Sequence, residues 1–290
     1  MKDHSKESIL VTGASSGIGN AVTIYLARQG YTVLATVRKS SDAEKLNALG
    51  MKNLNPLCPF DLTKPEQIVS TAESINEKIK MGQLPPLYSI INIAGGGQIS
   101  PVELMNITEY RDELEKRLVG PIILLQKLLP LLRQTKGKIL WIATPGLFPV
   151  PYVADIHAPD FAVNYLARTL NLELYPDGIN NILIRCGAIN TTSPERTEIR
   201  LAEMLNSWPE EKSSVYKSRL IKLLQDSKKF NAKRTKPEKV AELIVKVLES
   251  NKSRVRYQIG YMSGLGGFLE KLPQSWVDLI MKKREVNQKI

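Results

Sequence analysis

Cysteine and histidine are scarce in this chain of 290 residues, which holds two of each. Cys58 and Cys186 stand far apart and in no spacing that ligates a metal, and His4 and His157 are farther apart still. A disulfide framework, a cysteine-based zinc site and a multi-histidine metal site are therefore excluded, and a reducing, cytoplasmic compartment is expected. No apolar run approaches the ~18 residues that cross a bilayer. The polar opening MKDHSKES leads straight into Ile9-Leu10-Val11 and lacks the basic-then-apolar layout of a signal peptide. Aromatic residues make up only 6%, and no RNA-reading motif, helix-turn-helix signature or zinc finger is present. A nucleic-acid partner is not expected.

Positive charge is abundant and unevenly spread. The formal net charge is +11, and residues 201–290 carry 19 basic and 10 acidic side chains against 21 and 19 in residues 1–200. Basic segments at 228–236 and 282–284 flank apolar, Trp-containing stretches. A solvated lysine-rich surface would explain them. The functional expectation is peripheral contact with an anionic membrane, so the protein is expected to be cytoplasmic with membrane association.

Short apolar segments at 9–11, 31–37, 54–57, 88–91, 138–142 and 181–184 alternate with helical patterns at 17–29, 66–79, 107–132 and 162–174. Such alternation predicts βαβ units and an α/β fold, a doubly wound parallel sheet covered on both faces. Beyond 190 the pattern is helical at 199–205, 214–224 and 237–250, followed by one strand near 257–259 and an apolar tail at 264–281. No linker interrupts the chain, which predicts a single domain.

Thr12-Gly13-Ala14-Ser15-Ser16-Gly17-Ile18-Gly19 lies between the first strand and the first helix. Glycines there let the backbone approach a pyrophosphate, and the helix N-terminus offers free N–H groups to the anion. In a strand–turn–helix setting this is a strong dinucleotide signal.

The stretch resembles the short-chain dehydrogenase/reductase family, and further motifs extend the likeness along the chain. Phe60-Asp61-Leu62 is similar to the family's adenine-binding site. Asn92-Ile93-Ala94-Gly95 resembles its Asn-Asn-Ala-Gly motif, and Leu118-Val119-Gly120 its following helix. Cys186-Gly187 stands where Pro-Gly is usual. The tail, with Pro237–Ala241, Arg256-Tyr257 and Leu272-Pro273, resembles the branch containing 17β-hydroxysteroid and retinol dehydrogenases, which implies a medium-sized apolar alcohol or ketone. The resemblance implies a Rossmann-type fold with cofactor contacts at Gly13, Ser15, Ser16, Gly17, Ile18, Gly19, Arg38, Asp61, Leu62, Asn92, Ala94, Gly95, Gly187, Ile189 and Thr191. Cofactor choice follows from charge. NAD-selective members carry a carboxylate after the second strand, whereas here Val37 is followed by Arg38, whose guanidinium pairs with a 2′-phosphate. NADP(H) is expected.

The four catalytic positions that the family implies are all altered. Carried over residue by residue, Asn is Arg117, Ser is Thr144, Tyr is His157 and Lys is Phe161. Tyr152 lies five residues early, in a proline-flanked loop with no lysine behind it. Pro159 falls between the Tyr and Lys positions, lacks an N–H and disfavours helical geometry at Ala158. The helix is therefore expected to begin at about Pro159, leaving His157 in the preceding loop and Asp160 near the helix N-terminus.

Three functions fit these substitutions. One is an atypical NADP(H)-dependent oxidoreductase with His157 as acid/base and Thr144 as donor to the substrate oxygen. The second is a repurposed enzyme catalysing a cyclisation or isomerisation, in which Arg117 binds a substrate group with Asp160 as its partner or as an acid/base; a plain ion pair with Glu113 is the alternative for Arg117. The third is a non-catalytic dinucleotide sensor or scaffold. The leucine-rich stretch at 122–132 predicts a homodimer through paired helices. The segment at 191–228 is expected to form a substrate lid, with Leu201, Met204, Leu205, Trp208 and Tyr216 offering apolar area.

Overall fold

The computed structural model describes residues 4–229 and 231–286. Phe230, within the basic run at 228–236, and the last four residues of the tail lie outside them. Seven parallel strands form one sheet in the order β3-β2-β1-β4-β5-β6-β7. They are β1 (Ser8–Val11), β2 (Thr32–Thr36), β3 (Leu54–Leu57), β4 (Leu87–Asn92), β5 (Lys138–Ala143), β6 (Asn180–Cys186) and β7 (Arg256–Ile259). The expected strands are all present, within a residue or two at their ends.

Alternate side chains of these strands feed two cores. Ile9, Val11, Val33 and Ala35 pack with Val22, Leu26, Val240 and Ile244, from helices α1 (Gly17–Arg28) on one side and Pro237–Glu249 farther along the chain. Leu10, Leu34 and Ile90 face the opposite way, against Ile68, Leu124, Leu128 and Val163. Those come from α3 (Pro65–Lys80), α5 (Gly120–Thr135) and α6 (Ala154–Glu173). Burial on both faces is why the strands read as unbroken apolar runs. The chain runs outward from β1 to β3 and returns through β4, so β1 and β4 are neighbours with opposite onward directions. A crevice opens above the carboxyl ends of strands at such a reversal.

Three features differ from expectation. A short helix, α2 (Ser40–Asn47), fills a gap that shows no apolar periodicity. The helix expected over 107–132 is α4 (Ile107–Leu114), a π-helical turn at Glu115–Val119 and α5. A π turn carries one extra residue per turn and is frequent at functional sites. The third concerns α6, which starts at Ala154 and contains Pro159 rather than beginning with it. The amides of Ile156 and His157 donate to the Val153 carbonyl at 3.1 and 2.9 Å, and the Asp155 carboxylate accepts the Gln98 amide at 2.6 Å. These local and long-range bonds hold the segment helical against a local penalty of about 3 kcal/mol for an interior proline. His157 is consequently on the helix, and Asp160 lies beyond its first turn.

The remaining elements are α7 (Ser193–Ser207), α8 (Glu210–Lys228), α9 (Pro237–Glu249), α10 (Ser263–Leu269) and α11 (Gln274–Val286). α10 is tied to the sheet by charge: Arg185, fully buried at the end of β6, pairs with Glu270 just past α10, and its Nε donates to the Asn164 side chain at 3.0 Å. Most of the leucine stripe of α5 is consumed inside the protomer, because Leu124, Leu125, Leu128, Leu131 and Leu132 are all core residues. No described helix is long and apolar enough to cross a membrane.

Candidate active site

A groove of about 500 Å³ opens above β1 and β4. Its floor is the turn 12–19. Gly13 has φ +69°, and a Cβ there would stand 2.9 Å from the Ala94 Cα; a Cβ on Gly19 would stand 2.1 Å from the Gly13 carbonyl oxygen. Both positions are closed to any larger residue, so the turn stays tight and α1 packs directly upon it. The Thr12 hydroxyl accepts the amides of Ile93 and Ala94 at 3.0 and 3.3 Å, stitching the end of β4 to the turn. Ser16 is the N-cap of α1, yet its side chain caps nothing, and Ser15 and Ser16 are exposed. The first amides of α1 are left for an anion.

Beyond β2, Val37 is buried and Arg38 is exposed on the rim of the groove. Among the described residues Arg38 has no ion-pair partner. Phe60, Asp61 and Leu62 line the same end. Asp61 is shaped by its own loop, its Oδ1 accepting the amide and the hydroxyl of Thr63, both at 3.0 Å. A bare guanidinium at this end and a tight glycine turn at the centre fit a phosphorylated dinucleotide.

Most of the expected cofactor residues meet here. Gly13, Ser15, Ser16, Gly17, Ile18, Gly19, Arg38, Asp61, Leu62, Ala94, Gly95 and Thr191 all line the groove. Asn92, Gly187 and Ile189 do not. Asn92 is buried and donates to the Leu140 carbonyl at 3.5 Å, Gly187 packs on the Tyr261 carbonyl, and Ile189 is in the core. They build the frame around the groove. Thr36, Ile93, Gly96, Gly97, Glu113, Lys116, Arg196, Thr197 and Arg200 line it without having been expected.

One of the altered catalytic positions, Arg117, is the centre of an ion-pair cluster with Glu113 and Asp160. Arg117, on the π turn, donates from Nη1 to Asp160 Oδ1 at 2.7 Å, from Nε to Glu113 Oε2 at 3.3 Å and from Nη2 to the Gly96 carbonyl at 2.6 Å. Asp160 Oδ2 accepts the Thr144 amide at 2.9 Å, and Glu113 Oε2 accepts the Gly96 amide at 2.8 Å. Both expected partners of Arg117, Glu113 and Asp160, are therefore engaged at once. Burial works against the charge of both Arg117 and Glu113. For Arg117, Asp160 and Glu113 overcome it and raise the pKa; for Glu113, Arg117, the Gly96 amide and Lys116 overcome it and lower the pKa. The guanidinium lies over Gly95, where a Cβ would stand 2.8 Å from its Cζ.

His157 and Phe161 sit four residues apart on α6, with ring centroids 5.9 Å apart. Burial lowers the His157 pKa; Asp160 and the Phe148 backbone oppose this, and Arg117 adds to the lowering, so the ring is neutral at pH 7. Thr144 Oγ1 and His157 Nδ1 are both buried without a hydrogen-bond partner among the described residues. The Cys186 thiol, pushed up to about 12 by burial, is no nucleophile.

A second cavity, of about 650 Å³, lies between α7 and the segment 98–109. Leu104, Ile199, Met204 and Trp208 line it together with Glu109, Glu203, Arg196 and Arg200, so its surface is mixed rather than simply apolar. Of the five lid residues expected to face a substrate, Met204 and Trp208 line this cavity. Leu201 is buried, Leu205 is not in the lining, and Tyr216 donates to Glu103 at 2.8 Å outside the cavity. Arg196 and Arg200, one helical turn apart on α7, line both cavities.

The short chain dehydrogenase family model matches residues 7–200. A 3-amino-tetrahydro-pyrrolizinone reductase of Xenorhabdus hominickii is 29% identical over 259 residues, covering 88% of this chain and 87% of that protein. An 11-beta-hydroxysteroid dehydrogenase type 2 of Ovis aries is 30% identical over 271 residues, 90% of this chain but only 62% of the dehydrogenase. Among solved structures, a short-chain dehydrogenase from Streptomyces avermitilis superposes with a TM-score of 0.73 at 23% identity, covering 99% of each chain. An alcohol dehydrogenase from Thermococcus sibiricus complexed with 5-hydroxy-NADP gives 0.68 at 21% identity, covering 92% of this chain and 98% of that one.

Proposed function

The chain belongs to the short chain dehydrogenase family, and from that premise we propose that it is an NADP(H)-dependent oxidoreductase acting on an alcohol or carbonyl through Thr144 and His157. The observation that carries this reading is the pair of buried, unpartnered polar atoms, Thr144 Oγ1 and His157 Nδ1, at the two positions where the family handles the substrate oxygen. Leaving such atoms unpaired costs about 1–3 kcal/mol each, and a substrate hydroxyl placed between them would satisfy both. The dinucleotide, when bound, exchanges the hydride. Thr144 would donate its hydroxyl hydrogen to the substrate oxygen. His157, neutral at pH 7, would take the alcohol proton at Nδ1 and return it in the reverse direction. Arg117 moves no proton, since every face of its guanidinium that the described residues reach is already bonded. Arg38 would hold the 2′-phosphate, and the turn 13–19 the pyrophosphate.

The test is turnover of NADP⁺ and NADPH with a panel of medium-sized alcohols, aldehydes and ketones. His157→Phe and Thr144→Val are each expected to lower the rate by about 10²-fold or more. Unchanged turnover in both variants would end the assignment.

A specific observation favours a second reading, a binder without chemistry. Thr144, His157, Asp160 and Phe161 are absent from the residues lining the dinucleotide groove. No turnover of any panel member, alongside tight NADPH binding, would decide for it. The cyclisation or isomerisation reading loses its main support, because Arg117 is committed to Glu113 and Asp160.

A further inference from the structure

Basic residues cluster at 228–236 and again at 282–284, and the structure tells the two segments apart. Lys228 is answered by Glu198 at 2.5 Å and Lys229 by Asp226 at 2.7 Å, while Lys233 lies 5.8 Å from the centroid of the Tyr261 ring. That segment uses its charge on the protein itself. Lys282 and Lys283, on α11, are exposed, and among the described residues no carboxylate pairs with either. The same holds for Lys271, in the turn before that helix.

α11 also turns apolar side chains outward. Val277 and Met281, one turn apart, are its buried side, whereas Trp276, Leu279 and Ile280 are 62%, 52% and 48% exposed. At about 100° per residue those three fall within an arc of about 100° that points away from Val277 and Met281, and Lys283 falls inside it. α10, across the turn 270–273, adds exposed Leu265 and Phe268, again one turn apart. Carboxylates are kept off this face. Glu270 is paired with Arg185 and Arg256, and Asp278 stands about 160° round the helix from Trp276. An outward tryptophan and aliphatic stripe among unanswered lysines suits the surface of an anionic bilayer. There the indole ring sits at headgroup level, and long lysine stems carry the ammonium groups to lipid phosphate. A second copy of the chain fits the face poorly, because a two-fold contact would bring the same unanswered lysines together.

We propose that α10 and α11 dock on an anionic membrane surface, with Trp276, Leu279 and Ile280 in the headgroup layer and Lys271, Lys282 and Lys283 on lipid phosphates. The docking involves no dinucleotide and stands apart from the oxidoreductase reading. It is tested by co-sedimentation of the full chain with vesicles of phosphatidylcholine alone or with about 30% phosphatidylglycerol. Binding is expected to the anionic vesicles, to fall steeply with added salt and to be at least about tenfold weaker on the neutral ones. Trp276→Ser with Ile280→Ser should lower the partition coefficient about tenfold or more, and Lys282→Gln with Lys283→Gln by a similar factor. Both pairs are exposed in the free chain, so an unchanged unfolding midpoint checks that these variants are folded. Trp276→Phe gives a second readout. It should keep binding within about threefold while abolishing the blue shift of tryptophan fluorescence that the wild-type chain shows on anionic vesicles. No binding to anionic vesicles, or equal binding by wild type and both paired variants, overturns the proposal. A solution dimer that Trp276→Ser with Ile280→Ser breaks, seen by light scattering, would give the face to a second copy and overturn it too.

Discussion

The adenosine half and the catalytic half of the groove make opposite use of charge. On the first, Arg38 is exposed, and among the described residues no carboxylate answers it. On the second, Arg117 is wedged between Glu113 and Asp160, side chains that are 9% and 2% exposed. A solvated, unanswered cation is held in reserve for a ligand; a buried, doubly answered one belongs to the protein's own stability. Substitutions in the two halves should therefore be read by different instruments, one by binding and the other by unfolding.

The strongest test of that contrast is Asp160→Ala. It leaves a buried guanidinium short of a partner and the Thr144 amide without its acceptor, and should lower unfolding free energy by about 3–5 kcal/mol in urea titrations. A cost below about 1 kcal/mol would mean that the cluster is loosely held. Next is Arg38→Ala, which should change stability by less than about 0.5 kcal/mol yet weaken NADPH binding about 10–100-fold with little effect on NADH. If NADPH and NADH weakened together, Arg38 would not be the 2′-phosphate contact.

A smaller effect is expected at Asp155. Burial, its largest influence, and the neighbouring Glu113 charge raise its pKa to about 6, while the Gln98 amide and Arg117 oppose the rise. Because the folded pKa lies above the unfolded one, the stability it contributes is present below about pH 4 and lost as pH rises through about 6. Asp155→Asn should thus stabilise the fold by on the order of 1 kcal/mol at pH 8 and by nothing near pH 4. A gain that did not depend on pH would remove titration from the explanation. The least effect belongs to Phe161→Lys alone, which returns a cation to α6 and should tighten NADPH binding by about threefold or less. It should not bring ordinary dehydrogenase turnover, since no tyrosine stands at 157. A gain in carbonyl reduction of more than about tenfold over the wild-type chain by that single variant would undo the account of the site.

Much of this was legible in the sequence. The turn 12–19 announces itself because its glycines are required by backbone approach, Gly19 against the Gly13 carbonyl within the turn itself and Gly13 against Ala94 beyond it. The apolar strands are equally plain, being buried on both faces. The start of α6 was not legible, because what keeps 154–158 helical includes a bond from Gln98, far away in sequence. The leucines of α5 suggested an outward-facing stripe, but whether a leucine meets a partner or its own sheet depends on helix orientation, which periodicity leaves open. Exposed Tyr165 and Leu172 on α6 and Tyr175 beyond it are the apolar side chains left for a dimer contact, and a mass measurement by light scattering at micromolar concentration, with a dimer expected, examines it. The ion-pair cluster, in contrast, has a local signature. Glu113, Lys116 and Arg117 stand at i, i+3 and i+4, the spacing at which one carboxylate meets two cations on a helix.

The ion-pair cluster also constrains the order in which this site could be rebuilt. Arg117→Asn made first would leave two carboxylates, Glu113 and Asp160, facing a gap with no guanidinium between them. Asp160 replaced first would strand the guanidinium, and so would Glu113. Each single change within the cluster leaves a buried charge without its partner, so the cluster behaves as a ratchet that resists stepwise reversal at Arg117 whether or not its present chemistry is valuable. An engineer returning the family's catalytic residues to this chain would have to change the whole cluster at once.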